Sequence, residues 1–400
     1  MAGGDGGDGG DGGHGGHGGA AGAGAAAALE ARIRRRGPVP FDEVVELALY
    51  DAVHGFYATG GAAGRRGDFV TSPEVGPLFG VVVARFLDEE WLRLGRPDPF
   101  VVAEAGAGAG TLAVAVLAAE PACAAALRYV LVERSAPLRA RHAEHLRLTP
   151  PAVALAPTVP GEDGEPRPVP DDPGPHVVSL GSLPSVDGPV LVIANELLDN
   201  LAFRVLERSA DGWAEVRAGL DRTGRLVEVL VAAGEDLVRR ATGLAPGAPP
   251  GARIPIQDAA AGWLRAALDL ASPGGTVVVA DYAATTAELA ERPSPEWLRT
   301  YAGHARGGHP LERLGAQDIT ADVCVDQLAR VRPPSEDVAQ ADWLRAHGID
   351  ALVAEGRRTW AERAHLGDLV AVRARSRISE AEALTDPAGL GAFRVVTWRP

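Results

Sequence analysis

Residues 101–112 read VVAEAGAGAGTL, an apolar run with one glutamate followed by three glycines that alternate with alanine. The run is typical of a buried strand, and the stretch TLAVAVLAAE that follows is typical of a helix. A chain with 50 glycines in 400 residues contains a G-x-G-x-G pattern by chance about once. The glycines are therefore informative because they lie between a strand and a helix, and not because there are three of them.

Short β-branched runs alternate with helical stretches on the C-terminal side of this motif. The alternation predicts an α/β fold, a Rossmann-like parallel sheet with helices on both faces. Between residues 202 and 231 the hydrophobic period changes to alternation around two Xaa-Gly turns, which predicts antiparallel hairpins. Segment 157–175, rich in Pro, Gly and acidic residues, predicts a surface loop. The predicted strands of the parallel sheet are 100–105, 128–133, 176–180, 190–195, 276–282 and 393–398.

The composition changes along the chain predict three regions. Residues 1–24 contain 14 glycines, and such a segment cannot bury enough apolar area to offset its ordering entropy. We therefore predict a disordered Gly/Asp/His-rich tail over 1–28. Two helical stretches over 29–98 predict an N-terminal helical lid or substrate region. The cofactor-binding domain is expected over 99–400, with the antiparallel insertion at about 200–260.

Charge, cysteine content and hydropathy exclude several classes of protein. A formal net charge of −14 argues against nucleic acid as a partner, because an acidic chain repels phosphate. No apolar run approaches the ~18 residues needed to span a bilayer, and no secretory signal precedes the first helix. Two distant cysteines without metal-ligand spacing predict a cytoplasmic protein without a metal site. Lysine is absent, which excludes Walker A and Schiff-base chemistry.

The glycine motif has the surroundings of a ligand loop. At the carboxyl end of a strand, small residues let a ligand approach the backbone, and the next helix presents free N–H groups. Glu104 would lie beside a cationic part of that ligand, and Glu133 ends the next strand, where a carboxylate can hold both ribose hydroxyls. A dinucleotide fingerprint requires a third glycine where Thr111 stands. An NAD-dependent oxidoreductase is thus the less favoured alternative.

The pattern E-x-G-x-G-x-G with an acidic residue after the second strand resembles motif I of class I S-adenosyl-L-methionine (SAM) methyltransferases. The resemblance implies that Gly106, Gly108 and Gly110 cradle the amino-acid part of SAM and that Glu133 binds its ribose. It also implies the class I methyltransferase sheet as the fold.

Six further blocks narrow the resemblance to one branch of that superfamily. The likeness runs from about Ala31 to Trp398 and is to the MidA-like methyltransferases, the bacterial relatives of a mitochondrial complex I assembly factor that dimethylates an arginine. It implies SAM as cofactor and a protein substrate, with arginine as acceptor and a respiratory-complex subunit as a candidate partner. In chain order the blocks are FDEVVELALYDAVHGFY, RRGDFVTSPEVGPLFG, VIANELLDNLAF, VVVADYA, GAQDITADV and DPAGLGAFRVV.

The block ANELLDN supplies the candidate catalytic residues. It follows the fourth core strand, at the edge where ligands gather in open α/β sheets. Asn195 and Glu196 are expected to face the sulfonium or the acceptor, and Asp199, the third candidate, lies one helical turn further on. Carboxylates bind a guanidinium bidentately, orient its attacking nitrogen, and could take the departing proton. The alternative is that Asn195 or Asp199 only begins a helix as its N-cap.

A second polar group lies in GRRGDFVTSPE. Asp68, Thr71 and Glu74 are candidate cofactor contacts, together with Ser72. The alternative is that Ser72-Pro73-Glu74 begins a helix with proline at its first position, and the two interpretations are compatible.

Other polar residues are weaker candidates. Asp281 and Tyr282 could line the acceptor pocket, although a buried structural tyrosine fits equally well. His304 and His309 could contact substrate, but solvated loop histidines are commoner. A third hypothesis for the chain as a whole is a non-catalytic assembly factor that kept the fold and binds partners through its surface.

Overall fold

The computed structural model describes residues 16–59, 61, 71–160, 166–169, 172–302 and 305–400. The strands are β1 Val39–Pro40, β2 Phe100–Ala105, β3 Leu127–Val132, β4 Ala156–Pro160, β5 Pro166–Val169, β6 His176–Leu180, β7 Val190–Asn195, β8 Arg204–Ser209, β9 Gly212–Leu220, β10 Leu226–Ala232, β11 Arg253–Ile256, β12 Thr276–Asp281, β13 Ala283–Ala284, β14 Leu298–Ala302, β15 Ala305–Arg306, β16 Asp318–Ala321, β17 Val323–Cys324, β18 Glu336–Ala339 and β19 Arg394–Trp398. The helices are α1 Gly16–Arg36, α2 Phe41–Tyr50, α3 Ser72–Val75, α4 Pro77–Arg93, α5 Thr111–Ala118, α6 Ala136–His145, α7 Pro151–Ala154, α8 Glu235–Leu244, α9 Asp258–Ala271, α10 Thr286–Glu291, α11 Ser294–Trp297, α12 Val325–Val331, α13 Gln340–Ala346, α14 Ile349–Arg363 and α15 Leu369–Leu384. Short 3₁₀ turns cover Leu198–Asn200, Ala364–Leu366 and Leu390–Ala392.

A seven-stranded sheet forms the centre of the molecule, in the order β18-β19-β12-β7-β2-β3-β6. Strands β12, β7, β2, β3 and β6 pair in parallel, and β19 runs antiparallel to both of its neighbours. Every residue of β2 is buried, as continuous apolar strands between two helical layers must be. The predicted α/β sheet is confirmed, and each predicted strand lies within one residue of its observed bounds.

Alternate residues of the central strands enter two separate cores. Phe100 and Val102 of β2 pack with helices α4, α5 and α13–α15. Val101 and Ala103 pack on the other face, with α9 and α12. The period of two along a strand thus divides one sequence run between the two helical layers.

The second sheet is the antiparallel insertion that the alternating pattern predicts. Its order is β1-β9-β8-β11, with β10 also paired to β9. Strand β1 comes from the N-terminal region and pairs with β9 through Val39 and Ala218. Phe41 of α2 contacts Phe203, with ring centroids 5.6 Å apart. The N-terminal helices and the insertion therefore share one hydrophobic core.

Two sequence predictions are corrected. Helix α1 begins at Gly16, and Ala25, Leu29 and Ile33 form a buried stripe on it at intervals of four residues. The predicted tail over 1–28 is thus wrong from Gly16 onward, because its alanines follow the helical period of the residues after them; positions 1–15 lie outside the described residues. Within 157–175, predicted as a loop, β4 and β5 pair as an antiparallel hairpin, since proline is tolerated in edge strands.

None of the described helices is both long enough and apolar enough to cross a membrane.

Two helix-interior glycines provide a test of the packing of α4 on α5. A Cβ at Gly80 would lie 2.4 Å from the Cβ of Ala115, whereas one at Gly262 meets nothing within 4 Å. Alanine gains about 1 kcal/mol of helix propensity at either site, but overpacking costs about 1–3 kcal/mol. Gly80→Ala should lower the thermal unfolding midpoint and Gly262→Ala should raise it. Equal shifts of the same sign would contradict the close packing.

Candidate active site

The three glycines form a turn at the carboxyl end of β2. Gly106, Gly108 and Gly110 all have left-handed backbone conformations, with φ of 71°, 54° and 86°, which only glycine adopts without strain. The N–H groups of Gly106 and Ala107 both donate to the carbonyl of Val132, at 2.9 and 3.1 Å. The turn is therefore joined to the end of β3.

Glu133 follows β3 directly and holds this turn from the neighbouring strand. Its Oε2 accepts a hydrogen bond from the N–H of Gly108 at 2.9 Å, and its Oε1 accepts one from the N–H of Ser135 at 2.7 Å. Burial raises the pKa of Glu133, while the two backbone donors lower it. Each carboxylate oxygen keeps acceptor capacity for a further hydroxyl group. The predicted proximity of Glu133 to the glycines is thus present in the structure.

Glu104 lies under the turn with 4% of its surface exposed. The hydroxyl of Tyr129 donates to its Oε2 at 2.8 Å. Burial raises the pKa of Glu104 to about 8, against the hydrogen bond from Tyr129, which lowers it. A cationic group beside this carboxyl would favour its ionised form.

A cavity with a volume of about 380 Å³ opens over the turn. Its walls come from the ends of four parallel strands and from the N-terminal region. Thr71 and Glu74 lie at its rim, and the hydroxyl of Thr111 donates to Oε1 of Glu74 at 2.8 Å. A helix starts here as the alternative interpretation predicts, but one residue earlier, since Thr71 is the N-cap and Pro73 is the second residue of α3 and not the first. Asp68 lies outside the described residues.

Glu196 follows β7 and faces the cavity with a strained backbone. Its φ is 52°, a conformation that costs a non-glycine residue on the order of 1–3 kcal/mol. Its Oε1 accepts hydrogen bonds from the N–H of Ser72 at 2.9 Å and from Nδ2 of Asn195 at 3.1 Å. Burial, with a smaller contribution from Asp199, raises the pKa of Glu196 to about 8, although the hydrogen bonds from Ser72 and Asn195 lower it. The N-terminal region thus holds this carboxyl in place.

Asp199 is buried behind Glu196 and is not part of the cavity wall. Its Oδ1 has no hydrogen-bond partner among the described residues, and neither has Oδ1 of Asn195, which does line the cavity. Burial raises the pKa of Asp199 well above its ordinary range, and the carboxylates of Asp281 and Asp318 add to the shift. The N-cap interpretation fails for both residues, because the N-cap position is Leu197 and no side chain caps it from there.

Asp281 is the last residue of β12, and its side chain caps the 3₁₀ turn Leu198–Asn200. Its carboxylate accepts hydrogen bonds from the N–H groups of Leu198, Asp199 and Tyr282, at 2.9, 3.3 and 2.9 Å. It is buried and does not line the cavity. Its observed contacts are those of a structural residue that positions the Asn195–Asn200 segment.

Tyr282 and His309 are not among the residues that line the cavity. The guanidinium of Arg299 stacks 4.6 Å from the ring of Tyr282, and its Nη2 lies 2.7 Å from Oδ1 of Asp322. His309 pairs with Glu228 of the insertion at 3.1 Å. His304 is outside the described residues. In the described part of the chain no group of histidine, cysteine and carboxylate side chains could hold a metal ion.

Several cavity residues were missed by the sequence analysis. Gly181 and Ser182 follow the predicted strand 176–180, so the rule that ligands gather at carboxyl ends of strands could have found them. Tyr50 and Tyr57 could not have been found in this way. They reach the cavity from the N-terminal region, where their hydroxyls donate to the carbonyl of Asn200 and to Asp318 at 3.2 and 3.1 Å.

These residues fit a nucleoside bearing a charged amino-acid group. The glycine turn leaves room for a ligand close to the backbone, since a Cβ at Gly108, which lines the cavity, would meet no protein atom within 4 Å. Glu133 offers acceptors for a diol, and Glu104 offers a buried partner for a cation. The first turn of α5 adds N–H donors for a carboxylate.

Comparison with known proteins also indicates a site for S-adenosyl-L-methionine. A family model described as "Putative S-adenosyl-L-methionine-dependent methyltransferase" matches residues 82–339. The mitochondrial protein arginine methyltransferase NDUFAF7 of Xenopus tropicalis is 26% identical over 336 residues, which cover 80% of this chain and 74% of that one. The Drosophila melanogaster homologue is 43% identical over 89 residues, 22% of this chain and 20% of its own length. A crystal structure from Burkholderia thailandensis, bound to S-adenosyl-homocysteine, is 28% identical with a TM-score of 0.78 and covers 96% of this chain and 93% of its own.

The buried Glu104 predicts a pH-dependent stability. Its folded-state pKa of about 8 is above the ordinary 4.5, so the parent loses stability as pH rises between these values, by up to about 1.4 kcal/mol per pH unit. The Glu104→Gln variant has no ionisable group at this position, so its stability relative to the parent should increase as pH rises over that range. Urea unfolding at pH 6 and pH 9 measures the difference. Tyr129→Phe, which leaves the carboxyl buried, should keep the pH dependence; a Glu104→Gln effect that is constant with pH would contradict the assignment.

Proposed function

The chain belongs to this family of S-adenosyl-L-methionine-dependent methyltransferases, and on that premise we propose that it methylates the guanidinium of an arginine in a protein substrate. The observation that carries the proposal is the carboxyl of the half-buried Glu196, which lines the cofactor cavity and whose pKa is raised by loss of water. A buried carboxyl with a raised pKa gains most from a cationic partner. The relatives named protein arginine methyltransferases support the same acceptor.

The cofactor supplies a methyl group on a sulfonium centre, a good leaving group, so the protein acts chiefly by positioning. Glu133 would hold the ribose with its remaining acceptor sites. The turn of Gly106, Gly108 and Gly110 would receive the amino-acid part close to the backbone. Glu104 would face the ammonium, whose charge would lower the pKa of this carboxyl. Thr71 and Glu74, at the rim, are proposed contacts, and the role of Asp68 stays a prediction.

Glu196 and its neighbours would receive the acceptor. The carboxylate of Glu196 would bind the guanidinium, orient its attacking nitrogen, and take its proton as transfer proceeds. Oδ1 of Asn195, which has no hydrogen-bond partner among the described residues, would accept an N–H from the same group. Asp199 would act through Glu196, whose pKa it raises when it is ionised. A respiratory-complex subunit as substrate stays a prediction.

Removal of the Glu133 carboxylate tests the cofactor site. Glu133→Ala should weaken SAM binding by about 1–3 kcal/mol, roughly 5- to 150-fold, because charged hydrogen bonds are lost. Isothermal titration with SAM and S-adenosyl-homocysteine measures the affinity. Thermal shift of the parent in parallel with NAD should show stabilisation by the first two ligands alone. Stabilisation by NAD only would overturn the assigned site.

Substitution of Glu196 tests transfer. Incubation with methyl-labelled SAM and cell lysate should label protein with the parent and much less with Glu196→Gln, which keeps the hydrogen bonds from Ser72 and Asn195. SAM affinity should be retained in the variant. The exposed Glu355, paired with Arg377 in the C-terminal helices, provides a control: Glu355→Gln should label like the parent. Peptide mass analysis of the labelled band then identifies the acceptor residue.

Two outcomes would contradict this proposal in different ways. Equal labelling by the Glu196→Gln variant and the parent would remove Glu196 from the mechanism. A parent that binds SAM but labels nothing would favour the non-catalytic assembly factor.

A further inference from the structure

His142 lies beneath the glycine turn and has both ring nitrogens engaged. It belongs to α6 and is fully buried. Its Nε2 lies 2.9 Å from the carbonyl oxygen of Gly108, and its Nδ1 lies 2.8 Å from Oγ of Ser179 on β6. It is not one of the cavity-lining residues.

The partners determine where the proton of the ring lies. A carbonyl oxygen can only accept a hydrogen bond, so Nε2 must carry a proton and donate it to Gly108. In the neutral ring Nδ1 then accepts from the hydroxyl of Ser179. Burial lowers the pKa of His142, which favours this neutral form. The carbonyl of Gly108 thus selects the tautomer, and the hydroxyl of Ser179, which can donate or accept, satisfies Nδ1.

The peptide groups of Gly108 are thereby held by side chains at both ends. Its N–H donates to Glu133 at 2.9 Å and its C=O accepts from His142 at 2.9 Å. Glycine at φ of 54° has no side chain to restrict its backbone, so a turn with three glycines loses much conformational freedom when it is ordered. Two fixed partners order the turn before a ligand arrives, and such preorganisation raises affinity.

We propose that His142 is a positioning residue for cofactor binding, which it supports by fixing the carbonyl of Gly108 and with it the shape of the glycine turn. The proposal rests on the cofactor site assigned above. It differs from a purely structural role in what it predicts. A structural histidine contributes to stability alone, whereas a positioning histidine also sets the affinity of the folded protein for the nucleoside ligand.

Three substitutions at one position separate these roles. The side-chain amide of glutamine can reach the place of Nε2, and that of asparagine only the place of Nδ1. His142→Ala and His142→Asn should weaken binding of S-adenosyl-homocysteine roughly tenfold, because the Gly108 carbonyl loses its donor. His142→Gln should restore affinity to within about threefold of the parent. With acceptor present, the KM for SAM should follow the same order while kcat at saturating SAM changes little.

The measurement is isothermal titration of the full chain with S-adenosyl-homocysteine, with unfolding midpoints recorded for each variant. Ser179→Ala, which leaves the ring in place but removes its orienting partner, covers the case in which His142→Ala fails to fold; it should lose a few-fold in affinity. If the variants lower the unfolding midpoint yet bind as the parent does, or if glutamine restores no more than alanine, the positioning role is wrong. A parent that does not bind this ligand would instead overturn the cofactor site itself.

Discussion

The hydrogen bond from the Gly108 N–H to the Glu133 carboxylate joins the ends of two neighbouring strands into one binding surface. It exists because β2 and β3 run in parallel, so that the residues after both strands emerge at the same edge of the sheet. The glycine turn alone has a wide choice of shapes, and the carboxylate alone has no defined direction. Joined, they give the cavity a wall whose donors and acceptors are fixed before a ligand enters.

Burial of carboxyl groups is the second common theme of the site. The pKa values of Glu104, Glu133 and Glu196 are all raised by loss of water, and within the described part of the chain none of the three forms an ion pair with a cationic side chain. Such groups destabilise the protein when they ionise without a partner. A ligand with an ammonium, and an acceptor with a guanidinium, would supply the missing positive charge. The site is thus complementary in charge to the reactants of the proposed reaction.

The central sheet and the glycine turn could be predicted from sequence because their signals are local. Continuous apolar runs identify buried strands. Glu104 and Glu133 could be placed at the site because they lie at the carboxyl ends of two such strands. The role of Asp281 could not be predicted, because it caps a turn 82 residues away in sequence. The buried stripe of Ala25, Leu29 and Ile33 on α1 was not predicted to reach back to Ala25, because the residues before it are rich in glycine. Tyr50, Tyr57 and His142 depend on helices packed against the sheet, and no spacing in the sequence encodes that packing.

The hydrogen bond from Ser72 to Glu196 has a consequence for the modularity of the enzyme. A fragment that began at residue 99 would contain every strand of the central sheet and the whole glycine turn. It would lack the N–H of Ser72 that donates to Glu196. It would also lack Tyr50 and Tyr57 of the cavity wall and strand β1, which pairs with β9. The proposed methyl-transfer site is therefore built from two regions, and a transplanted Rossmann-like core would carry the glycine turn without the N-terminal residues that complete the site. Changes of substrate specificity should accordingly accumulate in the N-terminal helices and the insertion together.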